Sequence, residues 1–209
     1  MISVSIDFQM SSLQLVYMNS SSVNEHSIIL LGAEAEQLKL LSNDKRKVEF
    51  LGVRFLRNSL EINEPIKYLN SGKPYLSTLE QPISISHCSK YIALAMCAEP
   101  IGLDIELLGR DTSRIINKFV SEEEKNLYKN RLLYDTLELW CAKEAVYKLF
   151  DLPGLSFKDE ILILNRKLNG QLILLEGIVQ RNIPKKNFMV KIAKENDLLI
   201  AVAVFKAEP

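Results

Sequence analysis

The chain has 209 residues, 47% of them hydrophobic and 25% charged, with 26 basic residues balanced by 26 acidic ones. That suits one large or two small globular domains with a sizeable core, and a neutral chain has no overall field for nucleic acid or an anionic membrane, so neither is expected as a partner. No apolar run spans a bilayer, the first residues lack the pattern of a signal peptide, and Cys88, Cys97 and Cys141 with His26 and His87 make a poor zinc set, so free thiols, a cytoplasmic location and a monomer are expected.

Residues 2–18 alternate loosely through Val4, Ile6, Phe8, Leu13, Leu15 and Val16, a pattern for two strands of a hairpin. Residues 28–41, with Ala33, Leu38, Leu40 and Leu41, suit a helix. A stronger helix is expected over 42–60, where Ser42, Asn43 and Asp44 offer capping oxygens and Val48, Leu51, Phe55 and Ser59 recur with a helical period. Lys45, Arg46, Lys47, Arg54 and Arg57 crowd its remaining surface, which fits a solvated face or an anion site. Residues 70–74 read as a turn, Ile83–His87 as a strand and 91–97 as an apolar strand that Glu99-Pro100 breaks.

A strand follows at 103–107. Ser121-Glu122-Glu123-Glu124 is a capping box that starts a helix over 122–131. A longer helix is expected over 134–150, ended by Asp151-Leu152-Pro153-Gly154. Strands follow at 161–164, 171–176, 188–193 and 198–205, with Asn169-Gly170 as a hairpin turn. A basic-faced helix precedes an apolar strand in the first half, and the helix 134–150 precedes another in the second. This order suggests a twofold pseudo-repeat of an α+β unit, split into residues 1–99 and 100–209.

Two stretches carry chemistry. In Gly102-Leu103-Asp104-Ile105-Glu106, alternation puts both carboxylates on one side of a strand. In Trp140-Cys141-Ala142-Lys143-Glu144-Ala145-Val146-Tyr147-Lys148, Glu144 and Lys148 share a helix face. Three carboxylates and a lysine, brought together, suit Mg²⁺ on a phosphate ester, because a hard ion takes oxygen ligands and the lysine meets the remaining negative charge. Taken singly, each also suits a solvated strand face and a surface ion pair. Trp140 reads as a packing residue, and Cys88 and His87, adjacent on a strand, face opposite sides and make a poor nucleophile pair.

Together these motifs resemble the Sfp-type 4′-phosphopantetheinyl transferases, which carry a G-[IV]-D-[IV]-E strand followed by a W-x-x-K-E-[AS]-x-x-K helix. Leu103 is a mild departure from the first motif. Weaker family features follow the same order: Gly72-Lys73-Pro74, the strand end Ser86-His87, and Phe119 ahead of the Ser121–Glu124 helix start. The helix bearing Arg46 and Arg54 is similar to the family's N-terminal helix, and the resemblance spans roughly residues 42–150. Ser84, where the family usually has Asn, and Cys88-Ser89-Lys90 after the histidine depart from the pattern.

The resemblance implies an α+β fold of two similar subdomains related by a pseudo-twofold axis, with coenzyme A in the cleft between them. It implies Mg²⁺-dependent transfer of the phosphopantetheine arm of coenzyme A, the co-substrate, to a serine of an apo acyl or peptidyl carrier protein, releasing 3′,5′-ADP. Asp104, Glu106 and Glu144 match the metal ligands, and Lys148 the lysine at the pyrophosphate. His87 with Ser86, and Lys73 and Pro74 of the turn, match contacts to coenzyme A; Arg46 and Arg54 are candidates for its 3′-phosphate. Glu144 or a water on the metal is the expected proton acceptor. Two other readings of the same residues are a Mg²⁺-dependent phosphohydrolase or nucleotidyl transferase, and a non-catalytic module that binds coenzyme A or a carrier protein.

Overall fold

The computed structural model describes residues 2–3, 7–24, 27–79, 81–129, 135–181 and 185–206, with the backbone alone for 2–3 and 127–129. Val4, Ile6, His26 and Tyr134, and residues 130–131 of the expected helix over 122–131, lie outside the described residues. The fold is α+β, in two compact units, Met1–Glu99 and Pro100–Pro209. Among the described residues, no helix is long and apolar enough to cross a membrane.

In the first unit the described strands β1 (Ile2–Ser3), β2 (Gln14–Asn19), β5 (Ile83–His87) and β6 (Tyr91–Met96) form an antiparallel sheet in the order β1-β2-β6-β5. The helix α2 (Asp44–Ser59) packs across it, started by Asn43, whose side chain accepts the amide of Arg46 at 3.1 Å. Gly52 sits where a Cβ would lie 2.3 Å from Ile92 Cδ1, so the helix rests directly on β6. The core gathers Val16, Met18, Val53, Leu56, Ile83, Ile92 and Leu94, so the buried stripe of α2 runs through Val53 and Leu56. The shorter α1 (Glu34–Leu40) replaces the helix expected over 28–41. Gly32 takes a left-handed φ of +56°, and the amide of Leu31 bonds to Glu34 Oε2 at 2.8 Å, which closes the chain ahead of the helix. The turn at 70–74 joins two short strands, β3 (Lys67–Tyr68) and β4 (Pro74–Tyr75).

The second unit is an antiparallel sheet, β7-β11-β10-β9-β8, made of β7 (Ile101–Leu107), β8 (Ile161–Asn169), β9 (Leu172–Val179), β10 (Lys186–Glu195) and β11 (Leu198–Phe205). β11 matches the expected 198–205, whereas the other strands run longer because neighbouring ladders extend them: Asn169 pairs with Leu172 around the Asn169-Gly170 turn, and Glu195 with Leu198. Two short helices, α3 (Ile116–Phe119) and α4 (Glu122–Lys129), precede α5 (Thr136–Phe150), which crosses β7, β11 and β10. Asp135 caps α5 by accepting the Leu137 amide at 2.9 Å, and Asp151 ends it in a left-handed conformation. The apolar core lies between α5 and the sheet, from Cys141, Ala142, Ala145, Val146 and Leu149 to Val190, Leu199 and Ala201.

The contact between β7 and α5 is tight enough to exclude a side chain. A Cβ at Gly102 would stand 1.9 Å from the Ala145 carbonyl oxygen and 2.6 Å from the Leu149 amide. Gly102→Ala therefore has to push helix and strand apart, and we expect it to lower stability by about 1–3 kcal/mol in urea unfolding.

Candidate active site

Position 102 sets the face of β7 that lies under α5, and the pleat returns that face to positions 104 and 106. Their cross-strand partners are Ala201 and Leu199, with Ala203 opposite Gly102. Asp104 and Glu106 are each only 6% exposed, so both carboxylates need partners. Lys148 supplies one: its Nζ lies 2.8 Å from Asp104 Oδ1 and donates to the Leu103 carbonyl at 2.9 Å. Trp140 supplies another, donating from Nε1 to Glu106 Oε1 at 2.8 Å while its ring is wedged between Phe119 and Phe157, 5.2 and 5.7 Å away. Arg110 donates from Nη1 to the same Oε1. Trp140 thus packs as the sequence implies, and it also orients a carboxylate.

Glu144 stands on α5 one turn after Trp140 and one before Lys148. Burial, then the charges of Asp104 and Glu106, push its carboxyl up from 4.5 to about 7, against the opposing pull of Lys148 and Arg110. Among the described residues three carboxylates thus face two cations, Lys148 and Arg110, and the centre gains a net negative charge as Glu144 loses its proton near pH 7. Among the described residues, no three His, Cys, Asp or Glu side chains stand together as a ready metal cage. Asp104 and Glu106 are instead turned onto Lys148, Trp140 and Arg110. The all-oxygen donor set and its surplus negative charge nevertheless fit a hard divalent cation such as Mg²⁺.

Lys143, adjacent to Glu144, points into the core and is wholly buried. Its Nζ lies within 2.8 Å of Glu124 and donates to the carbonyls of Phe119 and Phe157 at 2.6 and 2.8 Å. Glu124 closes the capping box with Ser121, taking the Ser121 amide at 2.9 Å, and also accepts the Ile163 amide at 2.9 Å. Burial lowers the Lys143 pKa, partly opposed by Glu124. The network ties α4, α5 and β8 together and holds Phe119 and Phe157, the two rings that pin Trp140. The capping box was legible in the sequence, whereas its second partner, Lys143, was not.

In the first unit His87 ends β5 and is half-exposed, with Nε2 3.5 Å from Glu49 Oε1. A groove of about 360 Å³ lies beside it, lined by Lys45, Val48, Glu49, Cys88 and Ser89 among others. Arg46 is exposed in the first turn of α2. Lys73 and Pro74 sit half-buried in the β3–β4 turn, where the Lys73 carbonyl accepts the Leu69 amide at 2.9 Å. Glu64 fastens the chain after this turn by accepting the amides of Ser77, Thr78 and Leu79 at 2.6–2.8 Å. Burial raises its pKa, but those three amides outweigh it and the net shift is downward.

Two expectations need correction. Ser86 is 2% exposed and faces the side of β5 opposite His87, because neighbours on a strand alternate, so the two do not form one donor pair. Arg54 and Arg57 are not surface cations. They are 1% and 0% exposed and converge on Glu34, with Arg54 Nε 3.2 Å and Arg57 Nη1 2.7 Å from its oxygens. Arg54 lies against the Phe50 ring at 3.5 Å, a cation–π contact, while its buried Nη2 has no hydrogen-bond partner among the described residues. Its guanidinium is committed to fastening α1 to α2 rather than presented to a phosphate.

Residues 100–203 match the family model of the 4′-phosphopantetheinyl transferase superfamily. The chain is 27% identical over 164 residues to enterobactin synthase component D of Salmonella austin, covering 71% of this chain and 68% of that protein. It is 29% identical over 107 residues to the 4′-phosphopantetheinyl transferase gsp of Aneurinibacillus migulanus, covering 48% of this chain and 45% of that protein.

Removing Lys143 strands a buried carboxylate. Lys143→Ala should cost about 3–5 kcal/mol in chemical denaturation, several times the loss from a surface lysine. Glu144 makes stability depend on pH. Its carboxyl binds a proton more tightly in the folded protein than in the unfolded chain. Stability therefore falls as pH rises from about 4.5 to about 7 and levels off above. The fall should total about 1–3 kcal/mol for the metal-free protein, and Glu144→Gln should flatten it, as read from urea midpoints across that range.

Proposed function

Because this chain belongs to the 4′-phosphopantetheinyl transferase superfamily, we propose that it moves the phosphopantetheine arm of coenzyme A onto a serine of an apo carrier protein and releases 3′,5′-ADP. The observation that carries this reading is the contact of β7 with α5, which gathers Asp104, Glu106, Trp140 and Lys148 around one acidic centre. Nearly buried carboxylates with surplus negative charge are costly in a site that only packs.

Asp104, Glu106 and Glu144 are the residues that would hold Mg²⁺, which when bound would neutralise the pyrophosphate and the charge that builds on the leaving group. Lys148 is assigned to a pyrophosphate oxygen, and its pairing with Asp104 in this centre supports that role. His87, Arg46, Lys73 and Pro74 are assigned to the nucleotide end of coenzyme A. The groove beside His87 and the open first turn of α2 support that assignment for His87 and Arg46. In the transfer step the carrier serine oxygen bonds to the β-phosphorus as the bond to 3′,5′-ADP breaks. The serine proton has to pass to a base at this centre, and Glu144 is the carboxylate we assign to that role. We place this reaction in the cytoplasm, in keeping with three free cysteines.

Intact mass of an apo carrier protein, after incubation with this protein, coenzyme A and Mg²⁺, tests the reading. We expect a gain of one phosphopantetheine arm, no gain with EDTA, and a loss of at least about a hundredfold in rate for Asp104→Asn with the fold retained by circular dichroism. Full activity of Asp104→Asn would remove the metal assignment. No gain with acyl and peptidyl carriers, despite coenzyme A binding, would favour a binding module.

A further inference from the structure

We propose that Arg110 is a built-in counter-ion that occupies Glu106 in place of a divalent cation and is displaced when the cation binds, so that it sets the affinity of the centre for metal. The inference rests on the assignment of Asp104, Glu106 and Glu144 to a cation.

Glu106 Oε1 accepts from both Trp140 Nε1 and Arg110 Nη1. A carboxylate oxygen has about two lone-pair directions, and these two donors fill them. An ion that takes Oε1 must therefore remove one donor. Trp140 is held edge-on to Phe119 and tilted against Phe157 inside the core, and its helix is anchored by Lys143. Arg110 lies beyond the end of β7, on a turn closed by its amide bonding to the Leu107 carbonyl at 3.1 Å, and its side chain is 42% exposed. Of the two donors, Arg110 is the one that can leave.

Charge points the same way. The guanidinium lies 5.4 Å from the Trp140 ring centroid and is drawn by Asp104 and Glu144 as well as Glu106. It thus sits in the field that would attract a divalent cation, and a positive group left there would repel that cation. Apparent affinity then falls by the fraction of molecules in which Arg110 has released Glu106. Arg, which is always charged, suits this stand-in role better than a short polar residue, because it sets a full positive charge against Glu106 until the ion arrives.

The test is Mg²⁺ and Mn²⁺ binding to the full chain by calorimetry, with the emission of Trp140, the sole tryptophan, as a second readout. Arg110→Ala and Arg110→Gln should each bind the ion at least about threefold more tightly than the unaltered protein, and Arg110→Lys, which keeps the charge, should stay close to it. Unchanged or weaker binding in Arg110→Ala and Arg110→Gln overturns the proposal and makes Arg110 a support for Glu106. Absence of any ion binding to the unaltered protein that Asp104→Asn abolishes overturns the cation reading along with it.

Discussion

The closeness of β7 to α5 is the constraint on which the second unit depends. With no side chain at Gly102, the strand comes within backbone contact of Ala145 and Leu149. The pleat then carries positions 104 and 106 beneath the same helix, where Trp140, Glu144 and Lys148 recur at helical spacing. A bulkier residue at 102 would lift the helix, and the acids would lose their partners or regain water. Backbone packing and electrostatics are thus set by one residue that has neither charge nor side chain.

Two carboxylates withdrawn from water demand positive partners, and the chain supplies Lys148, Arg110 and the indole N–H of Trp140. Glu144 adds a third acid, and burial first, then the charges of Asp104 and Glu106, holds its carboxyl up at about 7. With Glu144 ionised, three acids face two cations, which is unfavourable in a purely structural site. It agrees with the proposed binding of a cation and an anionic substrate.

Both units also use buried ions as fasteners away from this centre. Lys143 and Glu124 join α5 to the capping box of α4 and to β8, and Glu34 draws Arg54 and Arg57 together to fix α1 on α2. In each case the charged group is wholly or almost wholly buried, and each is a set of hydrogen bonds to backbone as well as an ion pair. Such groups define an arrangement more than they stabilise it, because desolvation offsets most of the attraction.

Much of the fold was legible in the sequence because it rests on local patterns. The capping box at Ser121, the helix ending at Asp151, the Asn169-Gly170 turn and the apolar strand Leu198–Phe205 are each written within a few residues. The pairing of Asp104 with Glu106, and of Glu144 with Lys148, follows from periods of two and 3.6 and needs no tertiary information. What the periods leave open is which face turns inward and what lies opposite. Arg54 and Arg57 fit a solvated stripe until Glu34, distant in the chain, is seen to receive them. Lys143 reads as one more helix lysine until Glu124 and two carbonyls converge on it. Ser86 shares a motif with His87, yet a buried sheet face claims its side chain. Arg110 belongs to none of the sequence motifs and acquires a partner only because β7 carries Glu106 to the mouth of a turn. The sequence by itself determined most of the longer secondary elements and the acids of the centre, since both follow from local patterns along the chain. Only the tertiary structure decided which charges are spent on one another and which remain for a ligand, because burial and partner distance are properties of segments far apart in sequence.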